Sequence, residues 1–435
     1  MKRFLLALSL VVALALISSL AFADQEGDNR GVTVGIGSLK ISGILQSGFN
    51  MHVGSELFGS TGAVDRQSLG YSDYEFVVNH ARLRVDGAVI DDRVTYMMNF
   101  EFAYDTHAGE TAGTIAGDVL KDLKIGFHYI PLTGIYIGHF LPQFTFFAPR
   151  SIANLFFIDY PLMNQALDTV AMANGHEVAL FPTTRQTGLE FGVESTYLNA
   201  NAGVFNGRQY YPPVIPNGAT TPVGDPGWAD TNNGKDLYIN LVGKPPVEGL
   251  QIFAGLWYGM PLDGFKIKKG VYTEQNASVV MIDAGVAYLA PFGLTLVGEF
   301  LDAMYNYNKK LPDGSGDRYP NIKTYMYQSA SMSYYIMGGF NFGPLFEVPV
   351  ELLVRYDFLD PDTLNNKTKR PSSMNDELSD ISVGVNYYIH KINAMLYLNY
   401  IHHMEAFKNI PNVAGDNTQT GISNDEIKLQ AQVAF

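Results

Sequence analysis

The 435-residue chain has no cysteine, which excludes a disulfide framework, a thiolate metal site and a cysteine nucleophile. Charge is also sparse. Charged residues make up 17% of the sequence, and beyond residue 23 no long uncharged apolar run is left to form a membrane-spanning helix. The 29 Lys and Arg are outnumbered by 43 Asp and Glu. The formal charge of −14, or −16 once Lys2 and Arg3 are set aside, argues against nucleic acid as a partner.

Strand formers and turn formers are plentiful, with 26 Tyr, 27 Phe and 43 Gly in a chain that is 47% hydrophobic. At the start, Lys2-Arg3, an uncharged run from Phe4 to Leu20 and Ala21-Phe22-Ala23 form the charge, apolar stretch and small-x-small site of a secretory signal peptide over residues 1–23. An exported chain of residues 24–435 without disulfides needs another source of stability, and a sheet closed on itself supplies one.

The rest of the chain alternates with period two. Val94, Tyr96, Met98, Phe100 and Phe102 share one face while Thr95, Asn99 and Glu101 share the other, as a strand between lipid and water requires. Val350, Leu352, Val354, Tyr356 and Phe358 oppose Glu351, Arg355 and Asp357 in the same way. The pattern predicts an all-β transmembrane antiparallel barrel of about 16 strands. They fall at 39–52, 74–90, 93–104, 119–130, 134–141, 185–195, 197–206, 236–244, 249–259, 278–290, 293–305, 325–342, 348–359, 378–390, 392–403 and 425–435. Tight turns such as 90–92, 131–134 and 245–248 alternate with long polar loops such as 207–235, 306–324 and 361–377. That asymmetry is expected of a barrel in the outer membrane of a Gram-negative bacterium, with the turns periplasmic.

The stretch 142–184 breaks the pattern. Phe144, Phe146, Phe147, Phe156, Phe157, Leu162 and Met163 make it too apolar to remain in water. It is expected to fold into the lumen and narrow it, with a fold over the rim or a subunit contact as the alternative. Two segments, NHARLRVDGAVIDDRVTYMMNFEFA (79–103) and IYIGHFLPQFTFFAPRSIANLFFIDYPLMNQAL (135–167), carry a resemblance to the phosphate-selective porin O and P family, best over residues 74–190. The resemblance implies a sixteen-stranded, trimeric porin in which the third external loop lines the constriction. Leu141 stands where the family often has Lys, and phosphate selectivity is not carried over.

The alternation assigns Lys40, Arg82, Arg84, Arg93, Glu101, Lys124, Glu190, Glu299 and Arg355 to the pore lining, and Arg150, Asp159 and Asp168 to the constriction loop. Arg82, Arg84 and Arg93 are expected either to form a positive wall facing carboxylates across the pore or to pair along the wall. Counted together, the lining residues are mildly acidic and suggest weak cation preference or none. No cofactor, metal site or enzymatic constellation is expected, since the rings of His402-His403 point to opposite faces and no Gly-x-Ser-x-Gly elbow occurs. The expected activity is passive diffusion of small hydrophilic solutes or ions; the alternative is a barrel scaffold that sheathes a periplasmic or electron-carrying partner. Outer-membrane lipid and a homotrimer are the expected surroundings. The terminal IKLQAQVAF reads as the closing strand, and its final Phe435 resembles the signal read by the barrel assembly machinery.

Overall fold

The computed structural model describes residues 32–34, 37–53, 74–90, 92–103, 119–165, 185–207, 234–262, 275–312, 322–360, 363, 377–406 and 425–435. The expected signal peptide and Asp168 lie outside the described residues. Seventeen strands follow in order. They are β1 (Val32–Val34), β2 (Gly37–Val53), β3 (Tyr74–Val89), β4 (Val94–Glu101), β5 (Leu120–Phe127), β6 (Thr133–Phe140), β7 (Gln186–Glu194), β8 (Leu198–Phe205) and β9 (Asp236–Gly243), then β10 (Leu250–Leu262), β11 (Gln275–Leu289), β12 (Leu294–Pro312), β13 (Ile322–Asn341), β14 (Val350–Asp360), β15 (Glu377–His390), β16 (Ala394–Ala406) and β17 (Asp425–Ala434).

From β2 to β17 each strand pairs antiparallel with the next, and β17 pairs with β2, so sixteen strands close into a barrel. The sixteen expected strands are these sixteen. The short β1, which has no sequence-level counterpart, folds back on the start of β2 with Val32 opposite Leu39. The ladder of β12 and β13 also runs further than expected. Asn306 pairs with Gln328 and Pro312 with Ile322, so much of the expected loop 306–324 is strand.

Alternation sorts the side chains. On β14, Glu351, Leu353, Arg355, Asp357 and Leu359 point inward and are buried, while Leu352 and Val354 are open to lipid. On β17, Gln430 and Gln432 are buried while Leu429 and Val433 face out. The tight turns have left-handed backbone at Ile90, Asp92, Leu132 and Lys391, and at Gly249 and Gly293. A Cβ on Gly293 would lie 2.1 Å from the Asn341 carbonyl oxygen, so this turn needs glycine.

The seam depends on a second close approach. Gly43 N–H donates to the Phe435 carbonyl at 2.8 Å, and Phe435 N–H donates back to the Gly43 carbonyl at 3.0 Å. A Cβ on Gly43 would meet the Phe435 ring at 2.6 Å. Deletion of Phe435, or Gly43→Leu, is therefore expected to lower the yield of folded barrel, read as loss of the heat-modifiable band on electrophoresis. The folded fraction should keep its conductance.

Candidate functional site

The inward segment begins where β6 stops alternating. Gly138 has φ +146°, a Cβ there would sit 1.9 Å from the Leu123 carbonyl oxygen, and the next two residues, His139 and Phe140, are both buried. Residues 141–165 then run against lumen-facing side chains through two short 3-10 turns, Ile152–Asn154 and Leu162–Asn164. Ser151 caps the first by accepting from Ala153 N–H.

Apolar anchors hold this loop. Phe144 packs edge-on against Trp257 and Tyr238, Phe146 stacks on Phe253, and Phe147 meets Tyr335. Phe144, Phe147, Phe157 and Met163 are almost wholly buried. Each buried ring is worth roughly 2 kcal/mol and a typical hydrogen bond about 1, so burial supplies most of the attraction and hydrogen bonds set the register. Those bonds reach across the barrel. Phe146 N–H donates to Glu299 at 2.7 Å, Ile158 N–H to Asn399 at 2.8 Å, and Asn386 to the Phe156 carbonyl at 2.9 Å. Gln432 donates to the Ala153 carbonyl at 3.2 Å.

Arg355 clamps the loop. It donates to the Asp159 carbonyl at 2.9 Å and the Tyr160 carbonyl at 3.2 Å, pairs with Asp357 at 2.6 Å, and lies 4.7 Å from the Phe157 ring centroid. Lys428 adds a salt bridge to Asp159 at 2.8 Å. Under the loop, Asp283, Glu299, Glu351 and Asp357 are all buried.

The opposite wall, β3 to β7, is different. Arg82 pairs with Glu101 at 2.6 Å, Arg84 with Asp86 at 2.7 Å, Arg185 with Asp122 at 2.8 Å and Lys124 with Glu190 at 3.7 Å. In every pair the base is the more exposed partner. Arg84 shows 51% of its side chain against 28% for Asp86, and Lys124 shows 18% against 1% for Glu190. Tyr238 hydroxyl also donates to Glu190, which sinks that carboxylate further into the wall.

The expected lining residues therefore divide into groups. Lys40, Arg82, Arg84, Glu101, Lys124 and Glu190 lie on the inward face of β2 to β7, whereas Glu299 and Arg355 are buried beneath the loop. Arg93 sits exposed at the β3–β4 turn, one residue before β4, its N–H bonded to the Ile90 carbonyl and its carbonyl accepting from His128 N–H. Arg82 and Arg84 pair along the wall and form no continuous group with Arg93. Arg150 lies over the Phe146 ring at 4.2 Å and the Phe156 ring at 5.3 Å, and among the described residues no carboxylate pairs with it. Burial pulls its guanidinium below the ordinary value, yet arginine stays charged at neutral pH. Arg185 and the Lys428–Asp159 bridge were not singled out from sequence; Arg185 falls at a strand start, where its partner on β5 depends on tertiary pairing.

A closed sixteen-stranded wall with an apolar exterior and an inward third long connection can be compared with solved structures. The outer-membrane channel DcaP of Acinetobacter baumannii matches over 92% of this chain and 97% of its own, with a TM-score of 0.56 at 10% identity. The fold is that of an outer-membrane porin. The anion-selective porin from Comamonas acidovorans shares this porin fold at a TM-score of 0.54 and 13% identity, covering 92% of this chain and 100% of its own. Salmonella typhi OmpF, in complex with daunomycin, does so at 0.50 and 11%, covering 93% and 100%. No family model matches the chain, and no curated protein matches its sequence.

Arg355→Ala is expected to free the loop's far end and leave Asp357 buried without its cation, a loss of about 3 kcal/mol or more. Urea unfolding of the reconstituted barrel should show the lower stability. Single channels should show a larger, noisier conductance.

Proposed function

We propose that this chain is a passive diffusion porin of the outer membrane whose open lumen favours small anions over cations. The observation that carries the reading is the arrangement of charge on β3 to β7. The carboxylates Glu101, Asp122 and Glu190 lie against the wall while Arg82, Arg185 and Lys124 reach past them toward water. A solute is closest to the exposed charge, so the open face presents cations even though the acids outnumber the bases in the chain. The covered carboxylates Asp283, Glu299, Glu351 and Asp357 do not meet the solute, and Arg150 on the loop, which no carboxylate among the described residues pairs with, adds positive charge. Counting lining residues without their exposure points instead to weak cation preference or none.

Three further features support the reading. A solved structure of the same fold is described as an anion-selective porin. The resemblance of residues 74–190 to the phosphate-selective porin O and P family agrees in sign, although Leu141 in place of the family's Lys argues for a general anion preference without a phosphate site. A docked loop over 141–165 acts as the constriction and leaves little room for a threaded protein partner, which disfavours the scaffold alternative.

The wall from β4 to β9 favours assembly into homotrimers. Its strands have 8, 8, 8, 9, 8 and 8 residues. At about 3.3 Å per residue and a tilt of roughly 40°, eight residues rise only about 20 Å, short of an apolar band of about 25 Å. Contact with neighbouring copies removes that mismatch. Phe435 closes the seam and offers the terminal aromatic for the barrel assembly machinery.

In planar bilayers under a salt gradient, the reversal potential is expected to show chloride more permeant than potassium. Arg84→Glu should shift it toward potassium, and rising salt should weaken the preference as the Debye length falls from about 10 Å at 0.1 M to about 3 Å at 1 M. A potassium preference in the unaltered protein would refute the charge assignment, and silent bilayers would refute the channel itself.

A further inference from the structure

The connection from β13 to β14, residues 342–349 (FGPLFEVP), is unlike the other tight turns. It contains a single helical turn, α1 (Gly343–Phe346), closed by Glu347 in the left-handed region at φ 56°. Its large side chains are exposed: Leu345 by 56%, Phe346 by 60% and Val348 by 45%. They are not isolated. Phe346 lies 6.0 Å from Phe342, and Phe342 lies 5.1 Å from Phe340, with both distances between ring centroids. Phe340 is on the outward face of β13, since inward-facing Met337 is buried while Ile336 is open to lipid. One run of rings therefore continues from the lipid-facing wall onto the turn.

The backbone of the turn is also suited to a place with little water. Pro344 and Pro349 have no N–H to satisfy. Phe342 N–H donates to the Val350 carbonyl at 2.9 Å, Gly343 N–H to the Asn341 side chain at 2.8 Å, Phe346 N–H to the Phe342 carbonyl at 2.9 Å and Glu347 N–H to the Gly343 carbonyl at 3.0 Å. Near hydrocarbon an unmet amide costs several kcal/mol, and these bonds with the two prolines leave few amides of the turn to be met by water or headgroups. Glu347 is the segment's sole charged residue.

We propose that the β13–β14 turn is a foot inserted into the periplasmic leaflet at the boundary between headgroups and acyl chains, with lipid as its occupant. It anchors the wall built on β12 and β13, the longest strands at 19 and 20 residues, on a different part of the circumference from the short wall of β4 to β9. Leu345 and Phe346 reach the acyl chains, and Glu347 stays at the headgroups. The foot thereby sets the height at which the protomer sits in the membrane.

The chain's lack of cysteine makes the test direct. Full-length Phe346→Cys and Leu345→Cys proteins, each with a nitroxide label and reconstituted in phosphatidylcholine vesicles, are compared with Lys391→Cys in another turn by their collisions with oxygen and with a water-soluble nickel complex. Labels at 345 and 346 are expected to favour oxygen, and the label at 391 the nickel complex. Nickel access at 345 and 346 equal to that at 391 would overturn the proposal. Protection from both reagents would overturn it too, since it would place the turn against protein. Conductance of the same proteins is an independent readout, so a failed foot leaves the channel reading intact.

Discussion

Hydrocarbon offers no partner to a backbone N–H or carbonyl, and every other feature of this molecule answers to that constraint. A sheet can meet it only by closing, so β17 must find β2, and the seam depends on a glycine thin enough to admit the last residue's ring. Closure in turn fixes which face of each strand meets lipid. Once the outward face is apolar, the polar side chains of the membrane-spanning strands point into the lumen.

A sixteen-stranded ring encloses more space than its own side chains fill. The loop after β6 uses part of that space. By burying Phe144, Phe147, Phe157 and Met163 inside the barrel it gives the lumen two unlike walls. One, from β9 to β17, lies under the loop and holds its aromatic anchors and the buried carboxylates, of which Glu299 accepts from Phe146 N–H and Asp357 pairs with Arg355. The other, from β3 to β7, stays open and holds ion pairs with their bases outermost. In the proposed reading it is this second wall, and not the net charge of the chain, that sets selectivity.

Much of this was legible in the sequence because period two is a local property. The sixteen strands, the outward faces of β14 and β17 and the unusual apolar density after β6 were all visible without coordinates. What was not visible depends on distant partners. The start of β4 is offset by one residue from the expected strand at 93 because nothing in the local sequence announces that Ile90 and Asp92 take left-handed backbone. The reach of β12 and β13 was underestimated because polar residues such as Asn306 and Gln328 hide a ladder formed beyond the membrane. Charge preference is hard to read from the sequence for a related reason. Alternation tells which residues point inward, but whether Glu299 or Arg84 meets a solute depends on where the loop lies.

The division of the lumen into a covered and an open wall is the central claim, and cysteine accessibility tests it most directly. Single cysteines at Arg84 on the open wall and at Ser42, its partner on the adjoining β2, and at Ser333 and Ser382 beneath the loop, are exposed to a small charged methanethiosulfonate reagent in intact membranes. Rapid labelling at 42 and 84 with protection at 333 and 382 is predicted. Equal labelling at all four positions would contradict a docked loop.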